Sequence, residues 1–137
     1  MMTVVLSKQD YDDIVAFAKK GLPNEACGLL GGVIKDGQKI VKKVYYLRNT
    51  DESPEHFSMD VKEQFAVIRD IRKNDYVLLG NFHSHPNTPS RSSQEDIRLA
   101  FDPNLSYLIL SLAAAEPVLH SFHVEDGVST KEPLVIQ

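Results

Sequence analysis

Tyr76-Val77-Leu78-Leu79-Gly80-Asn81-Phe82 runs straight into His83-Ser84-His85-Pro86, and Asp96 follows eleven residues after His85. The first seven residues form a compact apolar run behind the turn formers Asn74-Asp75, which reads as a buried strand over Tyr76–Phe82. In a strand, positions i and i+2 face the same side, about 6.6 Å apart at Cα, so imidazoles at 83 and 85 can converge on one metal ion. The next segment is rich in Ser, Asn and Pro and reads as a loop, then a short helix is expected around Gln94–Phe101. Its fixed backbone can aim the Asp96 carboxylate back at the strand end. Two His and one carboxylate leave a fourth tetrahedral position for water, the arrangement of a catalytic zinc site. Water in such a site reaches a pKa of about 7, so hydroxide is available near neutral pH.

Upstream, Thr3–Leu6 reads as a short strand. Ser7 with Asp10 three residues on resembles a capping pair, and Tyr11, Ile14, Val15, Phe17 and Ala18 then recur at helical spacing up to Gly21 and Pro23. Cys27–Ile34 is a Gly-rich apolar run, a buried strand, and Asp36-Gly37 predicts a hairpin with Lys39–Leu47 returning. Arg48–Phe57 is polar, contains Pro54 and reads as a loop. Asp60 is a good N-cap for a second helix to Lys73, with Val61, Phe65, Ile68 and Ile71 on one face. Downstream of the short helix, Leu105–Leu112, Val118–Val124 and Val128–Ile136 read as strands, the last two joined at Asp126-Gly127. Strands and helices mix without strict alternation, so the fold class is α+β or α/β with a mixed sheet.

Composition narrows the function. The 137 residues are 42% apolar and 25% charged, enough for one core and for one domain spanning 1–137. The formal charge of -4 argues against a broad nucleic-acid surface. The apolar start at Met1–Leu6 lacks a basic flank and stops too early for a signal peptide. Leu105–Leu119 is interrupted by Ser106, Ser111, Glu116 and Pro117, short of the roughly 20 apolar residues of a membrane span. The lone Cys27 fits a reducing compartment. A cytoplasmic protein with neither nucleic-acid nor membrane partners is expected.

A metal with three ligands still needs a base and an oxyanion stabiliser. Glu25 precedes the apolar strand, where partial desolvation would keep its pKa high enough to accept and return a proton. Ser93, three residues before Asp96, can offer its hydroxyl to an oxyanion or cap the helix that follows.

These residues together resemble the JAMM/MPN+ zinc metalloproteases, which include deubiquitinating isopeptidases and their prokaryotic relatives. That pattern is an upstream Glu, then His-x-His, ten residues and Asp, with Ser three before the Asp. Here it reads Glu25, His83-Ser84-His85-Pro86 and Ser93-Gln94-Glu95-Asp96. Glu25-Ala26-Cys27-Gly28-Leu29-Leu30-Gly31 is similar to the bacterial glutamate segment, and Phe57-Ser58-Met59-Asp60 to the step into the second helix. Ser92 stands where many members have Pro. The resemblance implies a curved, largely antiparallel sheet flanked by helices, of the cytidine-deaminase-like kind. It implies one Zn2+ per chain on His83, His85 and Asp96, with Glu25 as general base and Ser93 at the oxyanion. The chain is short for the insertions that grip ubiquitin in eukaryotic members, so the compact prokaryotic type is expected, with a ubiquitin-like or sulfur-carrier protein as substrate.

Two rival functions stand beside this one: a non-catalytic binding module, and a zinc hydrolase of a small amide or peptide. His120 and His123 imitate a second metal pair, yet a spacing of three on a strand sends them to opposite faces. Cys27 opens an apolar run and is expected to pack rather than react. His56 has no role assigned by the sequence, and oligomeric state is left open.

Overall fold

The computed structural model describes residues 1–137. In chain order the elements are β1 (Thr3–Leu6), α1 (Lys8–Lys20), β2 (Cys27–Lys35), β3 (Gln38–Leu47), α2 (Val61–Lys73), β4 (Val77–His85), α3 (Gln94–Leu99), β5 (Ser106–Ser111), β6 (Val118–Glu125), β7 (Val128–Glu132) and β8 (Leu134–Ile136). All eight strands belong to one sheet, ordered β7-β6-β5-β4-β2-β3-β1-β8. The pairs β2–β3, β2–β4, β5–β6 and β6–β7 are antiparallel, while β1–β3, β1–β8 and β4–β5 are parallel. This is the mixed α+β class, and the sheet is curved.

Local chemistry accounts for the joints. Asp36-Gly37 and Asp126-Gly127 both take positive φ at both residues, as two-residue hairpin turns require. Ser7 Oγ accepts from the Asp10 N–H at 3.0 Å to start α1, and Asp60 accepts from the Glu63 N–H at 3.0 Å to start α2. No helix is long and apolar enough to cross a membrane.

The helices cover opposite faces of the sheet. Ile14 and Ala18 of α1 join Leu30, Phe82, Leu108 and Leu110 in the larger core. On the other face Val67 and Ile71 of α2 pack with Cys27, Leu29, Tyr45 and Leu47. The first six residues of β2 are therefore buried throughout, which explains a run that is apolar rather than alternating. Gly28 lies at a tight crossing: a Cβ there would stand 2.1 Å from the Phe82 ring and 2.2 Å from Tyr45 O.

Three boundaries differ from expectation by more than a single residue. β4 continues past Phe82 through His85, because Ser84 and His85 keep partners in β5 opposite Leu110 and Ser111. The short helix stops at Leu99, and Phe101 lies outside it, 88% exposed with nothing to pack against. The single strand expected over Val128–Ile136 is two strands. Pro133 cannot donate to a ladder, so β7 ends before it and β8 leaves to pair with β1 at the opposite edge. With one residue between them, the two edge strands force the sheet to curl round on itself. The Val4 N–H donates to Pro133 O at 2.9 Å across that seam.

Candidate metal centre

The site is built where β4 leaves the sheet. His83 lies opposite Cys27 of β2, and Ser84 extends that pairing by a two-bond clasp. Its N–H donates to Ala26 O at 2.9 Å, and its Oγ accepts from the Ala26 N–H at 2.8 Å. The clasp carries Glu25 to the same end of the sheet. There the Glu25 N–H donates to Ser53 O at 2.8 Å, and Asn49 Nδ2 donates to Glu25 O at 3.0 Å. The Glu25 residue is 6% exposed, and its Oε1 is buried with no partner in the chain. Burial pushes the carboxyl up to about 7, more than the nearby His85 lowers it.

His83, His85 and Asp96 come together from β4 and α3. The two Nε2 atoms are 3.1 Å apart, His83 Nε2 is 3.2 Å from Asp96 Oδ1, and His85 Nε2 is 3.1 Å from Asp96 Oδ2. The His85 Nδ1 faces the Pro89 carbonyl at 2.9 Å, an acceptor only, so Nδ1 carries the proton and Nε2 turns its lone pair to the centre. Tetrahedral ligands about 2.0–2.1 Å from zinc stand roughly 3.3–3.4 Å from one another, close to this triangle. Three electron-rich atoms so placed, mostly shielded from water, fit a small divalent cation between them.

Asp96 owes its aim to a capping box. Ser93 Oγ accepts from the Asp96 N–H at 3.0 Å, and Asp96 Oδ2 accepts from the Ser93 N–H at 2.9 Å. Burial alone would raise the Asp96 carboxyl; while the metal-free rings of His83 and His85 are protonated, their N–H donors and charge outweigh it and hold the carboxyl well below the usual range. Ser93 therefore caps α3, and its own hydroxyl proton is still free to donate. It lines a groove of about 300 Å3 together with Glu25, His85, Pro54 and Thr88.

Several supporting residues lay beyond sequence reasoning. Phe57 stacks on the His83 ring at 4.7 Å and 24°, shielding one side of the centre. His56 Nδ1 pairs with Glu95 Oε1 at 2.9 Å and ties the loop after β3 to α3. Asn49 also donates to His56 O at 2.9 Å, bracing the same loop. The expected decoys stay apart from the centre. His120 faces Ser90 O at 3.3 Å and His123 pairs with Glu125. Burial pushes the Cys27 thiol up to about 12, which leaves it a packing residue without thiolate character at neutral pH.

A curled mixed sheet, with two strand histidines and a helix-borne aspartate beside a buried glutamate, defines the JAB/MPN class. The chain belongs to the family described as prokaryotic homologues of the JAB domain, whose model matches residues 7–125. It is similar to the CysO-cysteine peptidase of Mycobacterium tuberculosis, 32% identical over 124 residues that cover 88% of this chain and 82% of that protein. It is also similar to a desampylase of Haloferax volcanii, 27% identical over 111 residues, 77% of this chain and 78% of that one. A protein of Desulfitobacterium hafniense with a solution structure is 51% identical, with a TM-score of 0.89 over 98% of this chain and 92% of that one. A JAB1/MPN domain protein of Archaeoglobus fulgidus, 21% identical with a TM-score of 0.61 over 98% and 99%, shares the fold.

Proposed function

We propose that this chain is a zinc-dependent peptidase or isopeptidase, its whole activity carried by one domain over residues 1–137. Its substrate is a ubiquitin-like or sulfur-carrier protein, cut after that protein's C-terminus. The observation that carries the reading is the triangle of His83, His85 and Asp96 beside a buried Glu25 whose Oε1 has no partner. The names of the relatives, a CysO-cysteine peptidase and a desampylase, support the substrate class. The lone buried Cys27 suits the cytoplasm.

One zinc on the two Nε2 atoms and the Asp96 carboxylate would supply a Lewis acid that polarises the scissile carbonyl and acidifies water. Glu25 Oε1 takes a proton from the attacking water as the C–O bond forms, then gives it to the leaving nitrogen as the C–N bond breaks. A carboxyl near pKa 7 holds both forms in comparable amounts at neutral pH, which suits that shuttle. The Ser93 hydroxyl, its oxygen occupied as a cap, turns its proton to the oxyanion. His85 stays in one tautomer through Pro89, and Phe57 keeps water off His83.

The rival binding module is disfavoured by a ligand set and base that are all present and converge. A small amide would use the same centre but leave the groove between the loops around Asn49–His56 and Asn87–Ser92 without a purpose. That groove suits an extended tail with small residues beside the cut. Matched carrier fusions ending in Gly-Gly or Leu-Leu before the scissile bond test the substrate class. The Gly-Gly fusion is expected to show the higher kcat/KM; equal cleavage, or preference for Leu-Leu, removes ubiquitin-like tails from first place.

A further inference from the structure

The pair formed by His56 and Glu95 stands at a crossing that the proposed chemistry does not use. On the loop after β3, Pro54 and Glu55 line the groove of about 300 Å3, while Phe57 lines a smaller, half-open cavity of about 70 Å3. On the facing wall, Ser93 lines the groove, while Asp96 and Leu99 line the cavity. The ligands divide in the same way: His85 borders the groove, and His83 and Asp96 border the cavity. His56 and Glu95 therefore join the two walls at the boundary between groove and cavity, where the metal centre lies. The join is His56 Nδ1 to Glu95 Oε1 at 2.9 Å, and Arg98 Nη2 stands 3.8 Å from the other Glu95 oxygen. The two side chains are 53% and 32% exposed, so the tie lies at the surface, outside the buried His83 and His85.

We propose that the tie between His56 and Glu95 is a strap across the substrate's path at the scissile bond, and that it favours residues without side chains beside the cut. The inference rests on the substrate class proposed above. A tail with its carbonyl at the centre of His83, His85 and Asp96 has one flank in the groove and the other in the cavity, so its backbone crosses beneath the tie. Glycine leaves that crossing clear, whereas a leucine side chain turned outward presses the walls apart and breaks the pair. An exposed pair of this kind is weak, so it opens for loading and release, and the selectivity it enforces is limited to a few fold. Bracing of the loop does not depend on the His56 side chain. Asn49 Nδ2 donates to the His56 carbonyl at 2.9 Å, and the Thr50 N–H donates to Ser58 O at 2.8 Å. His56 is thus a specificity residue, distinct from the metal ligands and from Glu25.

The test compares kcat/KM on the matched Gly-Gly and Leu-Leu carrier fusions for wild type, His56→Ala and His56→Asn, with zinc per chain measured alongside. Asparagine places an N–H donor near the position of the lost Nδ1. In His56→Ala the ratio of Gly-Gly to Leu-Leu cleavage is expected to fall about two- to fivefold, through faster cleavage of Leu-Leu, with zinc content unchanged. His56→Asn is expected to keep the wild-type ratio. General damage to the centre would instead slow both fusions alike. A wild-type ratio retained in His56→Ala, a ratio in His56→Asn as low as in His56→Ala, or loss of zinc in His56→Ala overturns the strap and leaves the substrate class in place. Equal cleavage of both fusions by wild type, or cleavage of neither, overturns the substrate class and the strap with it.

Discussion

At Glu25, burial sets both chemistry and stability. Glu25→Gln keeps the size and most contacts but cannot carry a proton. Turnover is expected to fall by at least the ~10²–10⁴-fold of general acid–base catalysis, with zinc still bound; loss of zinc would make Glu25 a ligand. The folded pKa of about 7 lies above the ordinary 4.5, so the fold favours the protonated form. The stability from that preference is complete below about 4.5 and is lost as pH rises through about 7. In metal-free protein the melting temperature of Glu25→Gln should therefore gain on wild type between pH 5 and 8, by up to about 3 kcal/mol in stability. A constant gap across that range would refute the cause assigned here. The pair His83 and His85 was legible in the sequence because strand period is local. The partial desolvation of Glu25 was legible as well, from its place before an apolar strand, but the groups that hold it there were not, since Ser53, Asn49 and Ser84 come from distant parts of the chain.

Among elements, the joint between β2 and β4 positions the base against the ligands. Ser84→Ala removes the buried acceptor of the Ala26 N–H, at a cost of about 1–3 kcal/mol. The expected result is a lower melting temperature and reduced kcat with close to one zinc per chain, because the histidines stay in their strand while Glu25 loses its anchor. Unchanged kcat would show that the clasp has no part in placing Glu25. Hairpins and helix starts could be read in advance, since Asp-Gly turns and the Ser7 and Asp60 caps act within a few residues. Strand ends could not. β4 reaches His85 because β5 and Ala26 supply partners, and no pattern within Tyr76–Pro86 encodes them.

At the scale of the whole molecule, the curl of the sheet depends on its last residues. Leu134–Ile136 pair with β1, and Gln137 exchanges backbone hydrogen bonds with Leu6 and Lys8. Deleting residues 134–137 strips one edge of β1 and opens the seam. A stability loss of at least ~2 kcal/mol is expected, about 5–10 °C in melting temperature; an unchanged melting temperature would mean the seam contributes nothing. The reading of one strand over Val128–Ile136 passed over Pro133, which breaks it, and the destination of β8 follows only from the curvature of all the other strands. The centre sits at the mouth of this curled sheet, between the loop after β3 and α3, and its metal is the claim on which the proposed chemistry depends. Zinc per chain, measured by elemental mass spectrometry on the purified protein and on His83→Ala combined with His85→Ala, tests it most directly. The account predicts close to one zinc in the wild type and none in the double variant; full occupancy in the double variant, or none in wild type supplied with zinc, would contradict it.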